Sequence, residues 1–429
     1  MRVSTFLVVI FAAGVSLSAF ADPPKASQGV APATPLTFAE RHVLASQALG
    51  EERYVDVRLP ASYRQSAPAR SYPVIFVLDG ELIFETVAAV ADHLAAVGRM
   101  PEAVVVGVPN HTGDRLGMSP RFLGRDGKPS GFGGREDQYL QFLEGELVPY
   151  LASSFRLADF RLVFGVSPTA AFALHSFWRS PELFQVHVAM VAGGSLDKLY
   201  PEAGLLADAL VGALEQKPDR RAWLYLSSAE SNFRAREEIG TALESFEKRL
   251  QPFLAKGLVF QAEVVPGAAY ATVLPAVTSA LNLIFPPEEW DPRYVSFLDG
   301  DAAALANLEA HFDALSARYG FPVVPLGDRF FSVNCLRGLA SRLDRQGRSE
   351  EALQVLRRWV DLYPSDPRSY LHLAFALEAS QPTQALTVGR QGLEVARRTA
   401  SSDSDRYEDH LRSLEESILS RKSGASAEP

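Results

Sequence analysis

The sequence predicts an α/β protein with a largely parallel sheet, followed by an all-α region. Three observations carry this. From residue 52 to about residue 290, short apolar runs alternate with segments of helical spacing. Several of those runs are continuously apolar, as in strands covered on both faces. Beyond about residue 295 the strand patterns stop and helical spacing takes over.

The elements follow in order. ERYVDVRLP (52–60) alternates apolar and polar residues, the pattern of an exposed edge strand. PVIFVLDG (73–80) is an apolar run closed by Asp-Gly, a buried strand. LIFETVAAVADHLAAVG (82–98) has helical spacing and a glycine stop, and AVVVGVPN (103–110) is a second buried strand. Residues 111–134 are too rich in glycine and arginine for regular structure, and 135–155 form an amphipathic helix. RLVFGVS (161–167) is a strand and PTAAFALHSFWRS (168–180) a helix. Further strands lie in 184–194, 222–228 and 258–267, with a helical pattern at 232–255.

Residues 329–367 carry a helix-pair pattern. Leu336, Leu339, Ala340 and Leu343 share one face, Gly347 makes the turn, and Ala352, Leu356 and Trp359 answer on the second helix. A similar unit follows at the spacing of tetratricopeptide-type repeats, about 34 residues, through Tyr370, Leu373, Ala374, Leu377, Ala385, Leu386 and Leu393. Two units fall short of the roughly three that stand alone. They are therefore expected to pack on the α/β domain or to use 405–421 as a cap; a plain helical bundle is the alternative.

The first residues point to export. Arg2, an apolar stretch from Phe6 to Leu17 and Ala19-Phe20-Ala21 have the layout of a cleaved secretory signal. The stretch is short for a membrane span, which needs roughly 20 residues. About 400 residues remain beyond it, enough for one large domain and an appendage. The expected organisation is a signal peptide over 1–21, a flexible Pro/Ala-rich leader over 22–39 and the α/β domain over 40–294. A helical connector (295–328), repeats (329–422) and a disordered tail (423–429) complete it. Periplasmic location follows as the expectation. With Cys335 the single cysteine, an exported chain holds together without an intramolecular disulfide. The net charge of −9 forms no basic stripe, which removes electrostatic support for nucleic-acid binding. No H-x-H, C-x-x-C or H-E-x-x-H spacing suggests a metal, and no cofactor is expected.

YPVIFVLDGELIF, MPEAVVVGVPN, ELVPYLASSFR, RLVFGVSPTAAFALHSFWRSPELF and VVPGAAY occur in this order over roughly 40–290. Together they resemble the esterase branch of the α/β-hydrolase fold, which includes enzymes similar to esterase D and siderophore-hydrolysing periplasmic esterases. The resemblance implies a Ser, acid, His triad in that chain order, with the serine inside G-x-S-x-G.

Ser167 matches the serine, and Gly165 the first glycine. Thr169 stands in place of the second glycine, where such a turn has least room. Pro168 follows the serine, at the position whose backbone N–H supplies one oxyanion donor in this architecture. Losing one such donor costs on the order of 10²–10³ in rate. Proline also biases the preceding residue away from a strained elbow. Ser-Pro-Thr reads better as helix-start chemistry, a serine N-cap followed by proline.

Glu230 falls where the resemblance places the acid, although a surface glutamate opening a helix is as good an account. In Pro266-Gly267-Ala268-Ala269-Tyr270-Ala271-Thr272-Val273, Tyr270 holds the place of the histidine. A phenol is protonated at neutral pH and is a poor general base. Without a base the hydroxyl is a weak nucleophile, and losing it costs on the order of 10⁶ in turnover. His111, in the loop after strand 103–108, is the candidate substitute, although a solvated loop histidine is the better account. By the same resemblance Asp79-Gly80-Glu81 would supply the second oxyanion donor through the backbone, and Arg115, Arg121 and Arg125 would roof the pocket, a solvated cationic loop being the alternative.

The expectation is thus an exported member of this branch, catalytically impaired, that binds a small ester or acyl ligand, or a protein partner through its helical repeats. An active serine esterase using Ser167, Glu230 and a non-standard base is the alternative, and a repeat-domain adaptor on an α/β platform the third.

Overall fold

Hydrophobic burial orders the α/β half into three layers. The computed structural model describes residues 36–110, 117–124, 126–131, 133–192, 195–196, 198–201, 204–235, 237–299, 303–329, 332–399 and 404–425. The expected signal peptide, most of the leader, His111, Arg115 and Arg125 lie outside the described residues.

Strands β1 (Glu40–Ser46) and β2 (Glu51–Arg58) form an antiparallel hairpin. Then come β3 (Tyr72–Leu78), α1 (Gly80–Ala96), β4 (Val104–Val108), α2 (Glu136–Phe142) and α3 (Val148–Ser154), the last two joined by a π-helical turn at Leu143–Leu147. Next are β5 (Leu157–Val166), α4 (Pro168–Arg179), β6 (Val186–Met190), the short β7 (Leu199–Tyr200) and β8 (Gly204–Leu205), and α5 (Leu206–Gln216). The half closes with β9 (Ala222–Ala229), α6 (Glu230–Ala235), α7 (Glu237–Leu254), β10 (Leu258–Val265), a 3₁₀ turn at Ala269–Thr272 and α8 (Val273–Ile284).

Eight strands make one sheet in the order β1-β2-β4-β3-β5-β6-β9-β10. From β4 to β10 every neighbouring pair is parallel, while β2 runs antiparallel to β4. Helices α1 and α8 cover one face through Ile83, Val87, Val277 and Leu281. The α2–α3 segment covers the other face near β3 and β4, and α4, α5 and α7 cover it near β6 and β9. The alternation in 52–60 is therefore not that of an edge strand. β1 is the edge, and β2 alternates because only one of its faces is buried.

Beyond the sheet come α9 (Pro287–Trp290), a 3₁₀ turn at Tyr294–Leu298, α10 (Ala304–Tyr319) and five further helices. These are α11 (Leu336–Arg345), α12 (Ser349–Leu362), α13 (Pro367–Leu377), α14 (Pro382–Arg398) and α15 (Ser404–Ala425). They bury a shared core around Leu339, Leu356, Trp359, Ala374, Ala385 and Leu414. Gly347 turns α11 into α12 at φ 74°, a conformation glycine adopts without strain. α15 packs on α14 as a cap and runs to Ala425, so the tail expected from residue 423 begins as helix. Propagation adds a hydrogen bond per residue, which carries a helix past its last packed turn.

The repeats are seated on the α/β half, as two units need to be. Ala67 N donates to Leu362 O and Ser365 N donates to Gln65 O, both at 3.0 Å. The Arg70 guanidinium lies 5.4 Å from the Tyr363 ring and pairs with Glu102 at 2.9 Å out of solvent. The chain divides into two units, Met1–Phe38 and Ala39–Pro429. In the first only residues 36–38 are described, without regular structure; all the elements above belong to the second. Among the described residues no helix is long and apolar enough to cross a membrane.

Candidate active site

Parallel strands put their C-terminal ends at one edge of the sheet. Asp79 follows β3, Asn110 follows β4, Ser167 follows β5, Glu230 follows β9 and Tyr270 sits in the turn after β10. The strand order reverses at β3, with β4 on one side and β5 on the other. Ligands of open α/β sheets bind at such a switch point. Here it is flanked by Asp79 and Ser167.

The backbone at Ser167 has φ 58° and ψ −112°, and its side chain caps no helix amide. This is the strained strand-to-helix turn of a nucleophile elbow rather than an N-cap. The bias imposed by Pro168 is overcome from both sides. Ser167 N donates to Met190 O of β6 at 2.9 Å, fixing the strand end. On the other side, a Cβ at Gly165 would stand 2.3 Å from Thr169 O, so glycine alone lets the helix start sit on the strand. The tight point of the turn is Gly165, not position 169 as expected.

Thr169 is fully buried and hydrogen-bonded on both sides. Its Oγ1 accepts from Val166 N at 2.9 Å and lies 3.0 Å from Asp79 Oδ2, to which it donates. Asp79, also buried, takes a left-handed conformation (φ 53°, ψ 46°) and accepts from Asn110 Nδ2. Asn110 N in turn donates to Glu81 Oε2 at 3.0 Å. The threonine hydroxyl thus becomes part of a polar network under the switch point. Sequence reasoning missed Asn110 and the role of Asp79; the signal was a polar residue within two positions of the end of each of two apolar strands.

Pro168 offers no amide, so that oxyanion donor is absent. Gly80 and Glu81 open α1, where first-turn amides have no acceptor within the helix. Leu82 N and Ile83 N are committed to Asp79 O. Gly80 is pressed against the end of β4: an added Cβ would lie 2.9 Å from Val108 N.

Glu230 opens α6 directly after β9. Ser231 N donates to Gly267 O at 3.1 Å, and α6 packs against the 3₁₀ turn that carries Tyr270. The segments of the expected acid and base positions are therefore brought together. Tyr270 is 41% exposed, and the turn holding it needs φ 119° at Gly267 and φ 40° at Ala269.

The described histidines lie elsewhere. His187 is buried in β6 between Phe177 and Phe184. Burial drives its pKa well below the usual value. His175 is buried on α4 with Nε2 3.4 Å from Asp137 Oδ1, and burial pushes it down to about 4 against the pull of that carboxylate. His42 bonds Tyr150 Oη at 2.8 Å, His311 bonds Glu289 O at 3.1 Å, and His372 stacks on Trp359. His93 is exposed on α1.

Residues 46–249 match the family described as "Putative esterase", and residues 333–376 match "Tetratricopeptide repeat". No curated protein matches the chain. An IroE-like serine hydrolase from Shewanella oneidensis is similar in structure, with 22% identity, 74% of this chain and 97% of that chain covered, and a TM-score of 0.56. An uncharacterised protein from Capnocytophaga ochracea shares 16% identity over 88% of this chain and 99% of its own, with a TM-score of 0.53. The siderophore hydrolase EstB from Aspergillus nidulans shares 16% identity over 61% of this chain and 100% of its own, with a TM-score of 0.45. At such identities the likeness is one of fold. The family matches and the strand order identify residues 46–249 as belonging to the esterase branch of the α/β-hydrolase fold, followed by tetratricopeptide-type helices.

Proposed function

We propose that this protein is an exported esterase-family member in which hydrolysis is severely impaired, and that its switch-point edge binds a small ester or acyl ligand. The observation that carries the reading is Tyr270 in the histidine's place, on a turn held to the Glu230 helix by Ser231 N and Gly267 O. The loss of a triad base is worth on the order of 10⁶ in turnover. The missing amide at Pro168 removes a donor worth on the order of 10²–10³, and the two losses do not simply multiply. The tetratricopeptide match supports a capacity for protein contacts, and we assign a partner-binding role to the C-terminal helices. Export to the periplasm rests on the layout of residues 1–21.

The second reading, an active serine esterase using Ser167, Glu230 and a non-standard base, is favoured by the retained elbow backbone at Ser167. Strain of this kind persists at sites where it serves a mechanism. Activated aryl esters separate the two. Impairment requires rates near background and no further loss in Ser167→Ala. Turnover that disappears in Ser167→Ala establishes the active enzyme instead. Tyr270→His combined with Pro168→Leu should restore activity to an otherwise intact edge.

A further inference from the structure

A cavity of about 250 Å³ opens beside helix α4, and Ser167 at the end of β5 is not among its lining residues. Its walls come from Arg121, from Glu136 at the start of α2, from His175 and Trp178 on α4, and from Tyr200 and Leu206. The lining residue on α4 nearest Ser167 is His175, eight residues on, or about 12 Å along the helix axis.

Two opposite charges share this cavity without neutralising each other. Arg121 lines it and makes no ion pair among the described residues; its Nη2 donates to Gly133 O at 3.1 Å. Glu136 also lines it, makes no ion pair among the described residues, and keeps Oε2 out of water with no donor. In the same lining, Trp178 Nε1 has no acceptor, and His175 Nε2 has Asp137 nearby without hydrogen-bond geometry. His175 is held neutral by burial, so Arg121 and Glu136 set the charge of the cavity. The remaining wall is apolar or aromatic, from Trp178, Tyr200 and Leu206.

A carboxylate withdrawn from water without a partner is costly, and a nearby guanidinium suits a planar anion bidentately. A simple anion would meet Glu136 and a simple cation would meet Arg121, each at a like charge. We infer that this cavity binds a small zwitterion of the α-amino acid type, its ammonium on Glu136, its carboxylate on Arg121 and its side chain against Trp178, Tyr200 and Leu206. The site is independent of whether Ser167 turns over.

Isothermal titration of the purified full chain tests this with glycine, L-leucine and L-phenylalanine as probes. At least one should bind saturably, while N-acetyl-L-leucine and L-leucinamide, each lacking one charge, should bind roughly tenfold or more weakly than L-leucine, the worth of one charge-assisted hydrogen bond. Arg121→Gln and Glu136→Gln should each weaken binding by a similar factor, and Ser167→Ala should leave it unchanged. The inference is overturned if none of the three amino acids binds at millimolar concentration, or if a capped analogue binds as well as L-leucine. It is equally overturned if Ser167→Ala abolishes binding, which would move the ligand to the switch-point edge. The capped-ligand comparison needs no variant, so it stands even if a substitution disturbs folding.

Discussion

Thr169 Oγ1 donates to Asp79 Oδ2 across 3.0 Å, tying the helix that follows Ser167 to the corner between β3 and α1. A side chain where the family pattern has glycine is thus a structural tie rather than an intrusion. Thr169→Val, nearly isosteric, removes the hydroxyl that Val166 N donates to and that donates to Asp79 Oδ2. We expect a loss of about 1–3 kcal/mol, the cost of buried polar groups left unmatched. Thr169→Ser should retain most of the stability. Urea unfolding of the three proteins checks this, and a valine variant as stable as the wild type would refute the tie.

Gly165 is the steric limit of the elbow. With an added Cβ 2.3 Å from Thr169 O and 2.6 Å from Thr169 C, Gly165→Ala must separate strand from helix. The expected loss is about 3 kcal/mol or more, at the upper end for overpacking. A melting temperature within a degree or so of wild type would contradict the geometry.

His175 and His187 make the fold acid-sensitive. Both are neutral when folded, with pKa values depressed by burial, to about 4 for His175 and well below the usual value for His187. As pH falls below about 6.5 the unfolded chain takes up protons that the folded chain refuses, so stability declines by about 1.4 kcal/mol per pH unit for each histidine. For His175 the decline stops near pH 4. Asp137, lowered by Arg179 and His175 despite burial, adds its own loss only below the normal carboxylate range. Because neither ring nitrogen of His187 has a hydrogen-bond partner, His187→Leu strands no other group. It should flatten the curve between about pH 6.5 and about pH 5 by one histidine's share. Denaturation midpoints across that range decide, and parallel curves for variant and wild type would dismiss the assignment.

The seat of the repeats depends on a buried ion pair. Glu102 accepts from Arg70 Nη2 at 2.9 Å and from Ser62 N at 3.0 Å, and Arg70 reaches the rings of Tyr72 and Tyr363. Glu102→Ala leaves the guanidinium buried and uncompensated, for an expected loss of roughly 3–5 kcal/mol. Circular dichroism and tryptophan fluorescence should still report one shared transition. Two separated transitions would show that the helices unfold apart from the sheet.

Much of the fold was legible because buried strands and amphipathic helices leave different periods in the chain. β3, β4, β6, β9 and the Leu162–Val166 half of β5 are fully buried, and their largely apolar runs announce it. β1 escaped notice because Glu40, Arg41 and Ser46 interrupt its alternation, and β2 was placed at the edge because alternation reports one buried face without saying what lies beside it. Of the candidate site, the order Ser167, Glu230, Tyr270 was readable, since residue identity at a motif position is local information.

What the chain alone determined is therefore its chemistry: a serine without a histidine in the expected place, a proline that cannot donate, and two repeat units too few to stand by themselves. The tertiary structure decided how those residues are held. The positive φ at Ser167 depends on Met190 O and the bare Cα of Gly165, and the fit of Thr169 depends on Asp79, ninety residues away. The meeting of the Glu230 and Tyr270 segments depends on β9 and β10 lying side by side. Each is a contact between distant stretches of chain, and only packing brings such stretches within reach.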